Sequence, residues 1–268
     1  MGVSAEHRAV LRRSLTLRWL RWWLVALLVA VGAYVLGQWQ WGKYEDRAAR
    51  ADRVERHYEA APVPVEQVLD DAPVSQDREW TRVEASGRYA GDDLVVRNRP
   101  RDGDYGYEVL SRLVLADGRS LVVDRGWIPF AEGGATVAPD IPPAPEGEVN
   151  VLGWVRLGEP SFERDMPPGQ VASINLPEVS EAWDEPVLGG YIVRDTGAGV
   201  REGAGSPLAL DRPSTGTGPH LAYAIQWWLV IPAGFAVVWF AARREEREAR
   251  GEPRARPAKV RIWDEEDA

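Results

Sequence analysis

Two stretches of the chain carry no charged residue, and between them polar and apolar positions alternate in short runs. The first, Trp22 to Gly42, is 21 residues dense in Leu, Val and Ala. About 20 such residues in a helix rising 1.5 Å each cross a hydrocarbon core of roughly 30 Å. It ends on Gln38, Trp39, Gln40 and Trp41, which reads as an interfacial aromatic belt rather than the small-residue cleavage site of a signal peptide. The second stretch, Leu221 to Ala242, contains Pro232 and runs directly into Arg243, Arg244, Arg247 and Arg250. Membrane helices tolerate an internal proline where neighbours satisfy the freed carbonyl. A buried soluble helix is the weaker alternative, because Trp227, Trp228 and Trp239 sit near the ends of the block beside the Arg cluster.

Beyond the first block, residues 43–61 keep helical character, with Asp46 four residues before Arg50 and Asp52 four before Arg56. The first helix is therefore expected to continue as a stalk until Pro62, Pro64 and the Asp70–Pro73 stretch break it. From Trp80 the period shifts toward two, predicting strands over 80–87, 94–99, 107–116 and 119–126. Asp117 and Gly118 separate the last two, which points to a two-residue type I′ hairpin. A Pro/Gly-rich loop is expected over 129–147, strands over 149–157, 171–176 and 191–194, and a short helix from Pro177 to about Trp183. Residues 196–218, with eight Gly or Pro, read as a loose tether into the second span. The fold class is α+β: two transmembrane helices flanking an antiparallel, barrel-like β-rich domain outside the cytoplasm. In domain terms, 1–21 is a basic cytoplasmic end, 22–42 the first span, 43–219 the outer domain, 220–242 the second span and 243–268 a charged cytoplasmic tail expected to be disordered beyond its first turns.

Charge orients this arrangement. Residues 1–21 hold five Arg against one acid, and basic residues also follow the second span, so both ends are expected in the cytoplasm. Lys43, Arg47, Arg50, Arg53 and Arg56 on the other side weigh against that orientation. The middle, 43–212, has 19 basic and 32 acidic side chains. Such an acidic domain argues against a nucleic-acid partner, which needs a basic face to displace counterions. With no Cys, disulfides, thiolate metal sites and covalent haem attachment through CxxCH are excluded. Only His7, His57 and His220 offer imidazole, and Met166 is the sole Met after the initiator, which argues against a copper carrier.

Catalytic patterns are missing: no G-x-S-x-G, P-loop or H-E-x-x-H. Asp92 with Asp93 and Asp102 with Asp104 read as turn residues rather than an acid/base pair. The expectation is a protein that is not an enzyme. Three segments are more specific in combination. They are Leu36-Gly37-Gln38-Trp39-Gln40; Tyr105-Gly106-Tyr107-Glu108-Val109-Leu110 ahead of Val123-Asp124-Arg125-Gly126-Trp127-Ile128-Pro129; and Pro219-His220-Leu221-Ala222-Tyr223-Ala224-Ile225-Gln226-Trp227. In this order, on a two-span frame, the chain resembles the Surfeit-locus-one family of cytochrome c oxidase assembly factors over about residues 20–245. It departs from the family pattern at Lys43, where an Arg is common, and at Gly218 and Pro219, where an Asn often precedes the His.

The resemblance implies a membrane-bound helper in maturation of the oxidase's catalytic subunit, with haem a as transient cofactor. The catalytic subunit and the haem a synthase are the expected protein partners, with membrane lipid around the spans. His220 is then the candidate axial ligand to haem iron, since a neutral imidazole can fill that position; the plainer reading makes it a polar helix-start residue. Tyr223, Gln226 and Trp227 are candidate haem-binding residues. The two aromatics could equally pack on the first helix, and Gln226 hydrogen-bond to it. Gly37, Trp39, Gln40, Tyr107, Arg125, Gly126 and Trp127 are motif residues with partner-binding or structural roles. Gly126 reads as a close backbone approach and Trp127 as core or contact surface. The Arg97–Arg101 run reads as propionate-holding or as a solvated loop. Two other classes stay open, a two-span sensor or scaffold with a ligand-binding outer domain and a membrane-tethered hydrolase.

Overall fold

The computed structural model describes residues 5–132, 137, 139–196 and 206–251. Its elements are α1 (Ala5–Ser14), α2 (Leu17–His57), β1 (Val63–Pro64), β2 (Arg82–Tyr89), β3 (Leu94–Arg101), β4 (Asp104–Leu115), β5 (Ser120–Pro129), β6 (Val149–Arg156), β7 (Gln170–Val171), α3 (Leu176–Trp183), β8 (Val187–Arg194) and α4 (His220–Ala249). They form two compact units, Met1–Arg47 with Thr217–Ala268, and Ala48–Gly216.

In the first unit α2 and α4 supply two candidate membrane-spanning helices, long and apolar enough to cross a bilayer. Trp19, Ala26, Ala30 and Ala33 on α2 are buried, as are Ala224, Val238 and Ala242 on α4. Residues recurring at three, four and seven positions share a helix face, and small ones let two helix backbones approach closely. Trp23 and Phe235 stack at 6.1 Å on the same seam. The outer faces carry exposed Leu24, Leu28, Val35, Leu229 and Val237, a surface suited to lipid and costly in water. α1 is fastened to α4 by Arg13, whose guanidinium pairs with Glu245 at 2.9 Å and Glu246 at 2.6 Å.

The second unit is a β-barrel. The order β2-β6-β8-β5-β4 closes through a direct β2–β4 pairing, Gly87 opposite Leu115 to Tyr89 opposite Leu113. Closure leaves these five strands without a free edge. β3 and then β7 extend the sheet from β4, and β1 adds to β2. Most pairs are antiparallel, but β5–β8, β3–β7 and β1–β2 are parallel. Val83, Ala85, Leu113, Leu115, Leu121, Val123, Val151, Val155, Leu188 and Ile192 form one core cluster with Val65, which opens the 3-10 turn after β1, and Leu69, just beyond that turn. Val122, Tyr191 and Val193 alternate with these along β5 and β8 and pack under α3 with Val179 and Trp183. β5 is buried over nine consecutive residues because both of its faces are covered.

The stalk extends to His57, and its last turns bury Ala51 and Val54. Beyond it the Tyr58 ring stacks on Trp154 at 4.2 Å, and the Trp154 indole donates to the Tyr58 carbonyl at 2.9 Å. Arg156 lies 4.2 Å over the Trp80 ring and pairs with Glu79, which also meets Arg53 of the stalk.

Three sequence expectations change in detail. The β4–β5 hairpin forms where expected, but its turn is not type I′. Gly118 alone has positive φ (+87°), the Gly118 N–H donates to Leu115 O, and Leu115 N–H donates to Arg119 O. This is the three-residue loop with a glycine bulge, and the Asp117 carboxylate supports it by accepting from Arg119 N–H at 3.0 Å. The strand expected over 171–176 shortens to Gln170–Val171. Asn175 instead caps α3, accepting from Glu178 N–H while donating to Glu159 O. The tether is anchored at Leu208, which bridges Trp127. Residues 197–205, and the tail beyond Gly251 expected to be disordered, lie outside the described residues.

Candidate functional site

His220 is the first residue of α4, half-buried, directly after Gly218 and Pro219. Gly218 has φ +66°, a left-handed conformation that Gly and Asn adopt most readily. The His220 Nδ1 lies 2.7 Å from Oε1 of Gln40 on α2, 180 residues away in sequence. A carboxamide oxygen only accepts, so Nδ1 donates and carries the ring proton. That leaves Nε2 as the ring nitrogen that no hydrogen bond reaches among the described residues.

The neighbouring turns hold this pair in place. A Cβ on Gly37 would overlap the Trp228 indole, so only glycine lets the α2 and α4 backbones come this close. One turn along, Trp41 sits 5.8 Å from Trp228 and 5.4 Å from Tyr44. Arg47 reaches the same turn, where a Cβ added to Gly218 would lie 2.5 Å from its Nη1.

Of the other candidates on α4, Tyr223 is exposed, Gln226 is exposed and Trp227 is half-buried. Among the described residues none of the three makes a ring contact or side-chain hydrogen bond to α2. The aromatic that packs on α2 is Trp228, and the glutamine that bridges the helices is Gln40. Neither role was visible in the spacing from His220. A residue one step along turns about 100° around a helix, and a partner 180 positions away leaves no local periodicity. Trp39 is exposed at the end of the span.

The barrel motif residues Tyr107, Arg125, Gly126 and Trp127 are all buried. Tyr107 is fully buried, edge-on to Phe130 at 4.9 Å. Arg125 is buried, donates to the carbonyls of Pro142 and Pro143 at 3.0 and 2.9 Å, and pairs with Asp93 at 3.4 Å. Burial draws its pKa down, against the opposing charge of Asp93. Gly126 has φ +125°, and a Cβ there would overlap the Leu208 carbonyl; this is the close backbone approach read from sequence. Trp127 is buried, its indole donating to Arg99 O at 2.9 Å.

Within the Arg97–Arg101 run, Arg99 pairs with Glu108 at 2.8 Å and Glu159 at 2.6 Å, and Arg101 donates to Ala209 O. Both guanidiniums are engaged inside the barrel unit. Asp102 is a turn residue with φ +52°, while Asp92 and Asp93 hold Arg112 and Arg125. Asp124 is buried, with Oδ1 accepting from Gly126 N–H at 3.0 Å. Burial pushes its pKa well above the usual carboxylate range, and the charge of Glu108 adds to that. Burial likewise raises Glu108, against the pull of Arg99. For Arg99 burial works against the charge, but Glu108 and Glu159 outweigh it and raise its pKa. Among the described residues no cluster of three or more His, Asp or Glu could hold a metal ion.

Two long apolar helices, one near each end of the sequence, and a closed five-stranded barrel formed by the residues between them put the chain in the α+β class. The SURF1 family model matches residues 27–231. Uncharacterised SURF1-like proteins of Mycobacterium bovis and Mycobacterium tuberculosis are 31% identical to the chain over 246 residues, covering 84% of it and 87% of the relative. The chain belongs to the SURF1 family. Membership supports a role in cytochrome c oxidase assembly in general, and the family is one of assembly factors rather than known enzymes.

Proposed function

We propose that this chain is a two-pass protein of the cell membrane, with both ends in the cytoplasm, that holds haem a at the start of α4 during maturation of the oxidase's catalytic subunit. The observation that carries this reading is the Gln40–His220 pair, which leaves Nε2 as the free imidazole nitrogen. The residues fit the group. A neutral imidazole is an established axial ligand to haem iron, and Trp41, Trp227 and Trp228 around the same turns offer aromatic surface to a flat apolar macrocycle. Haem a would supply an iron able to take a nitrogen ligand. His220 would provide that ligand, Gln40 would hold the imidazole ring, and Tyr223, Gln226 and Trp227 on α4 would hold the macrocycle. The barrel would dock on the catalytic subunit, with the haem a synthase as the source of cofactor.

The orientation rests on the Arg residues at both ends of the chain. Purified protein in detergent, titrated with haem, tests the ligand assignment. His220→Ala should abolish the absorption change that wild type gives on binding, and an unchanged titration would remove His220 as ligand.

A further inference from the structure

His220 is one of three histidines in the chain, and its ring is held by the Gln40 side chain of the other helix. Its counterpart in the barrel unit, His57, has Nδ1 3.2 Å from the Glu79 backbone carbonyl. We infer that Gln40 is the positioning residue of the His220 site, fixing the imidazole as the tautomer that ligates metal through Nε2. In part the inference rests on the haem reading above.

The geometry gives three reasons. Gln40 Oε1 accepts at 2.7 Å, a short bond for a neutral N–H donor and acceptor. Both side chains are half-buried at the helix seam, where competing water is reduced. Gln40 is itself fixed, because α2 is pinned against α4 one turn away by Gly37 beneath the Trp228 indole and by Trp41 beside it. An imidazole without such a partner favours the Nε2–H tautomer, which turns a proton rather than a lone pair toward an incoming metal. Partners that hydrogen-bond the far nitrogen of a ligating His fix its tautomer and orientation and raise its basicity. Removing them typically weakens metal affinity 10–100-fold.

Nitrogen NMR of full-length protein in detergent, labelled at histidine, reads the tautomer directly. Three histidines make assignment simple, His220→Ala identifying the signal, and a mildly alkaline sample keeps imidazole neutral. Wild type should show His220 protonated on Nδ1. Gln40→Leu, similar in size but without an acceptor, should shift it to Nε2–H and weaken haem binding about 10–100-fold. Gln40→Glu, which keeps the acceptor, should restore both the tautomer and the affinity. A His220 protonated on Nε2 in wild type would overturn the inference, as would a Gln40→Leu protein that binds haem like wild type. If the tautomer follows Gln40 as expected while wild type binds no haem, Gln40's control of His220 is upheld and the haem reading falls.

Discussion

Asp124→Asn offers a test of the barrel whose sign follows from the structure. The carboxyl is buried in β5, accepts from the Gly126 N–H through Oδ1, and has Oδ2 without a hydrogen bond. Burial raises its pKa most, the nearby charge of Glu108 adds to this, and the Gly126 bond, Arg99 and Arg156 oppose it. Because the folded pKa is raised, the folded state holds the proton more tightly than the unfolded chain. The stability Asp124 contributes is therefore complete below its unfolded pKa and is lost as pH rises toward the folded value. In that window each pH unit costs wild type about 1.4 kcal/mol relative to a side chain that does not titrate. Asn keeps the Gly126 bond but adds an amide N–H₂ where Oδ2 was, an offset of roughly 1–3 kcal/mol that does not vary with pH. For a unit of this size about 1 kcal/mol moves the melting temperature by roughly 2–4 °C. Melting curves of both proteins from pH 4 upward should thus move in the variant's favour by roughly 3–6 °C per pH unit before levelling off. Parallel curves would refute the raised pKa. A wild type that gains on the variant as pH rises would show that Arg99 and Arg156 hold Asp124 ionised.

Other expectations follow from the same contacts. Gly126→Ala forces a Cβ onto the Leu208 carbonyl at φ +125°, and strain with overpacking should cost on the order of 3 kcal/mol in thermal unfolding. Arg125→Met removes the donors held by Pro142 and Pro143; a loss of about 2–4 kcal/mol and faster proteolysis near residues 139–147 should result. Gly37→Leu should push Trp228 away from α2, weakening the near-UV circular dichroism of the Trp41–Trp228 pair and, by separating Gln40 from His220, the affinity for haem as well.

Much of this architecture was legible because its signals are local. A run of 21 uncharged residues, an Asp-Gly dipeptide between alternating strands, and Pro177 at a helix start need no tertiary information. A barrel-like domain was expected, but not which strands close it, since Gly87 opposite Leu115 is a non-local pairing that no alternation encodes. The first half of β8 was not expected either: the strand was read over 191–194 but begins at Val187, and a Cβ on Gly189 would overlap the Ala72 carbonyl. At the site, His220 announced itself as a lone imidazole at a span's entrance. The residue that sets its chemistry lay in the other helix, and Gln40 stood in the sequence only as a motif letter.

The central claim is that this protein takes part in building the haem a centre of cytochrome c oxidase, through the start of α4. Reduced-minus-oxidised difference spectra test it most directly, on membranes from cells lacking the gene and complemented with wild type or His220→Ala. The account predicts a diminished cytochrome a band without the gene, restored by wild type and not by His220→Ala at equal protein level. A full cytochrome a band with normal oxidase activity in cells lacking the gene would contradict it.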